Sequence, residues 1–260
     1  MTRASTYLRY RAAWSKPHQS VFASEILETA SLALKPCRGS SDKRRAPSGS
    51  CAFCRGQSNG RVLRPPAFTP PRPSGQLTYS CTGIRSSAEL VDRFQPNRTA
   101  EGNLRLVFED SVLEQIPPGL FNGLPVSALH FKNVVLTGRP SRTDPTPLRG
   151  LEGTLEKLVF SHNSTVPENW ASFLVGMSAL AEMVFFHMSG LSFASGAHSG
   201  LPSSLRKLHL VSSSIESADD YWLSSLVNLE TLLLRHVILS TFPRTVLPTT
   251  AGKLQTLLLE

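Results

Sequence analysis

LEKLVFSHN at 155–163, LAEMVFFHM at 180–188, LRKLHLVSS at 205–213, LETLLLRHV at 229–237 and LQTLLLE at 254–260 are one pattern written five times. Their first leucines, Leu155, Leu180, Leu205, Leu229 and Leu254, stand 25, 25, 24 and 25 residues apart. Upstream, VSALHFKNVVL from Val126 and NLRLVFEDSVL from Asn103 fit the same frame more loosely. The frame therefore holds six repeats and the start of a seventh over residues 103–260. Each L-x-L is a short strand with period-two alternation, so Leu158 and Phe160, Met183 and Phe185, or Leu208 and Leu210 point the same way. One such strand cannot bury that face alone. Stacked copies bury it along a continuous core.

An L-x-x-L-x-L line recurring near every 25 residues lies in the range of leucine-rich repeats. The fold expected is an α/β solenoid, a leucine-rich repeat horseshoe with a curved parallel sheet. Its convex side is irregular, its N-terminus capped and its C-terminal end open. Return segments supply the second wall: Ile116, Phe121 and Leu124 in the first repeat, Trp170, Phe173 and Leu174 in the third, Trp222, Leu223 and Leu226 in the fifth. Pro117, Pro118, Pro167, Pro202 and Pro243 fall outside the strands, where a missing N–H breaks no ladder bond. The ninth position of such a repeat is usually Asn, which bonds the turning backbone. Here it reads Ser111, Val134, Asn163, Met188, Ser213 and Val237, which predicts that the polar ladder is mostly missing and the turns softer.

The formal charge of +8 suggests phosphate as a partner until it is divided along the chain. Residues 1–75 hold 13 Lys and Arg against 3 Asp and Glu, whereas residues 76–260 hold 14 against 16. The repeat array is close to neutral and carries no electrostatic footprint for nucleic acid. Residues 1–75 read as a basic, low-complexity, disordered leader, with PPAFTPPRPSG at its end. Residues 76–102 read as an N-terminal cap of a short strand and a helix, and 103–260 as the repeats. Arg9, Arg11, Lys16 and Pro17 interrupt every candidate apolar core of a secretory signal. The longest apolar runs are far short of a membrane span of about 18 residues, so no transmembrane segment is expected.

Cys37, Cys51, Cys54 and Cys81 are the four cysteines. C-A-F-C is half of a zinc site, but no second close pair completes four ligands. The alternatives are a disulfide-bonded cap, for which four cysteines allow three pairings, or free thiols. S-S-A-E-L-V-D-R-F at 86–94 predicts a short helix, with Ser86 and Glu89 at capping-box spacing and Leu90, Val91 and Phe94 as an apolar stripe. That helix would cover the open edge of the first strand.

C-T-G-I from Cys81, then S-S-A-E-L-V-D-R-F, then I-P-P-G-L-F-N-G-L-P from Ile116 resembles the secreted arthropod leucine-rich repeat proteins, including those similar to the non-catalytic subunit of a luciferin monooxygenase. The resemblance covers about residues 76–260. It implies an extracellular, disulfide-capped binding scaffold with no catalytic residues and no cofactor. Two departures stand out: the missing signal peptide and a long interval from Cys54 to Cys81.

No P-loop, G-x-S-x-G, H-E-x-x-H or dinucleotide fingerprint occurs, so the reading is non-enzymatic with no metal site. The expected function is recognition or adhesion of a protein or glycan at the cell surface or outside the cell. The alternatives are an intracellular adaptor and a non-catalytic subunit of an enzyme complex. The residues between and after the strand leucines should form the concave binding face: His130, Lys132, Val159, His162, Val184, Phe186, His187, His209, Val211, Leu233 and Arg235. Solvent-facing positions this apolar mark partner sites. His162 and His187 share a column; they could share a metal or repel once protonated, although no carboxylate or cysteine completes a shell. Of two glycosylation sequons, Asn97 is expected to be accessible and Asn163 to be turned inward. The chain stops after a strand leucine at Glu260, which predicts that further repeats follow.

Overall fold

The computed structural model describes residues 53–58, 77–94, 103–137, 147–166, 170–193, 200–239, 241–248 and 252–260, with only the backbone of 53–58 and of Trp170. All belong to the compact unit Gly49–Glu260. Cys37, Cys51, Asn97 and the Pro-rich segment lie outside the described residues, as do the side chains of Cys54 and Trp170.

The molecule is a parallel-strand solenoid. Its strands are β1 (Phe53–Ser58), β2 (Leu77–Thr82), β3 (Leu104–Leu113), β4 (Val126–Leu136), β5 (Lys157–Ser161), β6 (Glu182–Phe186), β7 (Leu191–Phe193), β8 (Lys207–Val211), β9 (Ile215–Ala218), β10 (Thr231–Arg235) and β11 (Thr256–Leu259). The main sheet runs β1-β2-β3-β4-β5-β6-β8-β10-β11, and every pair but the antiparallel β1–β2 is parallel. The seven strands from β3 to β11 in that sheet fall on the seven positions of the sequence frame. The short strands β7 and β9 make a second, parallel pair on the return side. Among the described residues helix is confined to α1 (Ser87–Arg93), α2 (Trp170–Phe173) and a 3-10 turn at Arg244–Val246. Strand β1 lies inside the stretch read from composition as leader, because its backbone finds a pairing edge on β2.

The core is more aromatic than the leucine frame suggests. Phe108, Phe131, Phe160 and Phe185, on four successive strands, stack at ring separations of 5.8, 5.3 and 5.9 Å. Phe185 then meets Phe193 edge-on, and Phe193 stacks on Trp222 at 4.6 Å. Such contacts add about 0.5–1.5 kcal/mol each beyond area burial. The return residues Ile116, Phe121, Leu124, Phe173, Leu174, Leu223 and Leu226 are buried with them.

The predicted helix forms as α1. Ser86 Oγ accepts the Glu89 N–H, and Glu89 Oε2 accepts the Arg85 N–H at 2.8 Å. Leu90 and Phe94 are buried, and Phe94 packs on Tyr79, Phe108 and Phe121. Val91 departs from the expected stripe: it is exposed, because the helix presents only the Leu90 and Phe94 side to the core.

The turns after the strands correct the ladder reading. Ser111, Ser164 and Ser213 are buried on every second turn, and their hydroxyls accept the N–H groups of Ile84, Val134 and Met188, one turn earlier. The carbonyls of Ile84, Val134, Met188 and Ser213 accept from the next turn. A serine ladder replaces the asparagine one. Asn163 is exposed and Ser164 takes the inward place, since the third turn carries one extra residue. The ground for excluding glycan at Asn163 therefore falls away.

Candidate functional site

Parallel register sorts the outward side chains of the sheet into three columns. The first reads Arg105, Ala128, Lys157, Glu182, Lys207 and Thr231; the middle, Val107, His130, Val159, Val184, His209 and Leu233; the third, Glu109, Lys132, Ser161, Phe186, Val211 and Arg235. Alternation fixes this arrangement, because the leucines and phenylalanines between these positions face the core.

The expected binding residues do share this face or its rim, but not equally. Val159, Phe186, Val211, Leu233 and Lys132 are half-buried, and Arg235 is exposed. His130, Val184 and His209 are buried, contrary to the exposed positions expected of them. A middle-column side chain is walled in by neighbours on both strands and by both outer columns. These three therefore form the floor of the face rather than its contact surface.

Burial sets their chemistry. His130 Nε2 lies 2.8 Å from Ser161 Oγ. Desolvation, reinforced by Arg105 and Lys132, pushes its pKa down to about 3. Burial also lowers that of His209, against the opposing pull of Glu182, whose Oε1 is 3.9 Å from Nδ1. His209 Nε2 has no hydrogen-bond partner among the described residues.

His162 and His187 lie on the rim, with ring centroids 5.7 Å apart and Phe186 in contact with both. Burial, Lys132 and His187 lower the pKa of His162. Their place has a backbone cause. Gly83, Asp110, Asn133, Asn163, His187, Ser212 and His236 hold positive φ, each just before the ladder position; in the third turn His162 does so as well. Asn, Asp and His tolerate that conformation better than other side chains. The histidine column is thus a turn column. Among the described residues no group of three or more His, Cys, Asp or Glu is placed to hold a metal ion.

Among the described residues three Lys or Arg ion pairs cross the face: Lys132 with Glu109, Lys157 with Glu182 at 2.9 Å and Arg235 with Glu260 at 3.1 Å. The first column, with Arg105, Lys157, Glu182 and Lys207, was missed from sequence. The signal was available two residues before the middle column, where period-two alternation continues.

At the N-terminal end Cys81 is buried and disulfide-bonded, and Cys54 is its register partner across β1–β2. No helix among the described residues is long and apolar enough to cross a membrane. Comparison with protein-family models, curated proteins and solved structures gives no match for this chain.

Proposed function

We propose that this protein is a non-enzymatic recognition module of the leucine-rich repeat class, a horseshoe that binds a partner protein on the outward face of its sheet. The observation that carries the proposal is the apolar path Val159, Phe186, Val211 and Leu233 over β5, β6, β8 and β10, half-buried side chains on the outward face of the sheet. Apolar side chains gathered this way on a solvent-facing sheet gain free energy when a partner covers them.

An extracellular or cell-surface setting fits the disulfide-bonded Cys81, since disulfides persist in oxidising compartments. We assign its partner as Cys54, from the β1–β2 register.

The test is a panel of extracellular proteins and glycans probed with the wild-type chain and with Phe186→Asp, which buries a charge in any interface formed there. Protein ligands that bind the wild type and lose the variant are the expected result. Ligands that hold both equally would place recognition elsewhere and sink the reading.

A further inference from the structure

The charge on the outward face runs against that of the array. Within the three strand columns, extended by Glu260 beside Arg235, five cations (Arg105, Lys132, Lys157, Lys207 and Arg235) meet three carboxylates (Glu109, Glu182 and Glu260). Residues 76–260 as a whole hold 14 Lys and Arg against 16 Asp and Glu. The face is a basic surface on an array that is otherwise acidic.

The pairing is selective. Each of the three carboxylates is already held by a cation: Glu109 by Lys132, Glu182 by Lys157, Glu260 by Arg235. Arg105 and Lys207 make no ion pair among the described residues; Glu182, the register neighbour of Lys207, is turned to Lys157 instead. Arg105 is half-buried, and desolvation pulls its pKa down, the mark of a cation short of both water and a counter-charge. Its neighbour in register is Ala128, whose side chain carries no charge or hydrogen-bonding group to meet the guanidinium. Lys207 is exposed at the other end of the same column.

We propose that this face takes an extended acidic, apolar protein segment lying across strands β3 to β10, with carboxylates on Arg105 and Lys207 and apolar side chains on Val159, Phe186, Val211 and Leu233. The inference rests on the face being the binding surface and names the chemistry of its partner. Arg105 and Lys207 are four strand spacings apart, roughly 19 Å at about 4.8 Å each, which about six residues of extended chain bridge. The half-buried aliphatic and aromatic side chains Val159, Phe186, Val211 and Leu233 suit the apolar side chains of a protein, whereas a sulfated glycan would leave them uncovered. Charge complementarity of this kind speeds encounter and fixes register, and it weakens with salt.

The experiment uses the full chain as bait for a random peptide display library of about twelve residues. The strongest enriched peptide is then synthesised and titrated by fluorescence anisotropy. Variants are Arg105→Gln/Lys207→Gln, Phe186→Ser and, as a remote control, Lys253→Gln, each checked for an unchanged unfolding midpoint. A heparin dodecasaccharide is the second probe. The expected result is enrichment of peptides with two acidic residues about five or six positions apart between apolar ones. Affinity should fall roughly tenfold or more in the double Gln variant, and also in Phe186→Ser, but not in the control.

Peptides that are basic or uncharged, or that bind the double Gln variant as well as wild type, overturn the proposal while leaving the face a binding surface if Phe186→Ser still weakens them. Peptides indifferent to Phe186→Ser as well overturn both readings. Failure to enrich any peptide, or cation-dependent heparin binding in its place, overturns the protein segment as occupant.

Discussion

Ser164 decides the third turn. Its hydroxyl accepts the Val134 N–H at 3.0 Å and lies 3.0 and 2.8 Å from the carbonyls of Phe131 and Ser161, with the residue buried. Ser164→Ala strands a buried donor and loosens those acceptors, and should cost about 2–3 kcal/mol. Asn163 is exposed, accepts from Ser189 N and Oγ at 3.1 and 3.0 Å and holds φ at 56°, so Asn163→Ala, which adds left-handed strain, should cost about 1–2 kcal/mol, still less than Ser164→Ala. Urea unfolding of the two variants settles the order. If Asn163→Ala were the more damaging, the assignment of the ladder to serine would fail. The sequence offered Asn163 because it counted from the strand leucine, and counting cannot see an inserted left-handed residue. Backbone φ decided the matter, not residue type.

The element most tightly placed is α2, against the turn at Gly200. A Cβ on Gly200 would stand 2.3 Å from the Ala171 nitrogen and 2.8 Å from its Cα, and φ there is +68°. Gly123 has a similar φ of +74° but open space around it. The pair separates backbone strain from collision. Gly123→Ala should cost about 1–2 kcal/mol, the left-handed penalty alone. Gly200→Ala should cost clearly more, because the helical turn must move away from its seat. Comparable melting temperatures for the two variants would show that the helix yields freely. Elements of this kind were only partly legible in sequence. The strands announced themselves through alternation, and α1 through its cap residues. Strand β1 did not, because its reason to exist is the edge of β2 rather than any pattern of its own.

For the molecule as a whole, the buried imidazoles make stability a function of pH. His130 is neutral in the fold, with a pKa near 3, while in the unfolded chain it titrates near its ordinary 6.5. Between those values the unfolded state binds the extra proton, so stability is full above about 6.5 and is lost as pH falls. Burial of His209 and His162 acts in the same direction. Lowering the pH from about 7.5 to 5.5 should remove about 1.4 kcal/mol through His130 alone. His130→Gln, which keeps an amide opposite Ser161, should flatten that dependence by the same amount. Equal slopes for variant and wild type in urea titrations would show that His130 takes up its proton without unfolding. The basic column from Arg105 to Lys207, by contrast, gave no whole-molecule sign, since the array's balance hides it. One feature of the turns bears on the length of the chain itself. In the third turn two consecutive left-handed residues, His162 and Asn163, do what one does elsewhere, while β5 and β6 remain in perfect step from Lys157–Glu182 to Ser161–Phe186. A single added residue inside a strand would swing every later side chain to the opposite face. At the rim it is absorbed like play in an expansion joint, and the solenoid can take in length there without any strand learning of it.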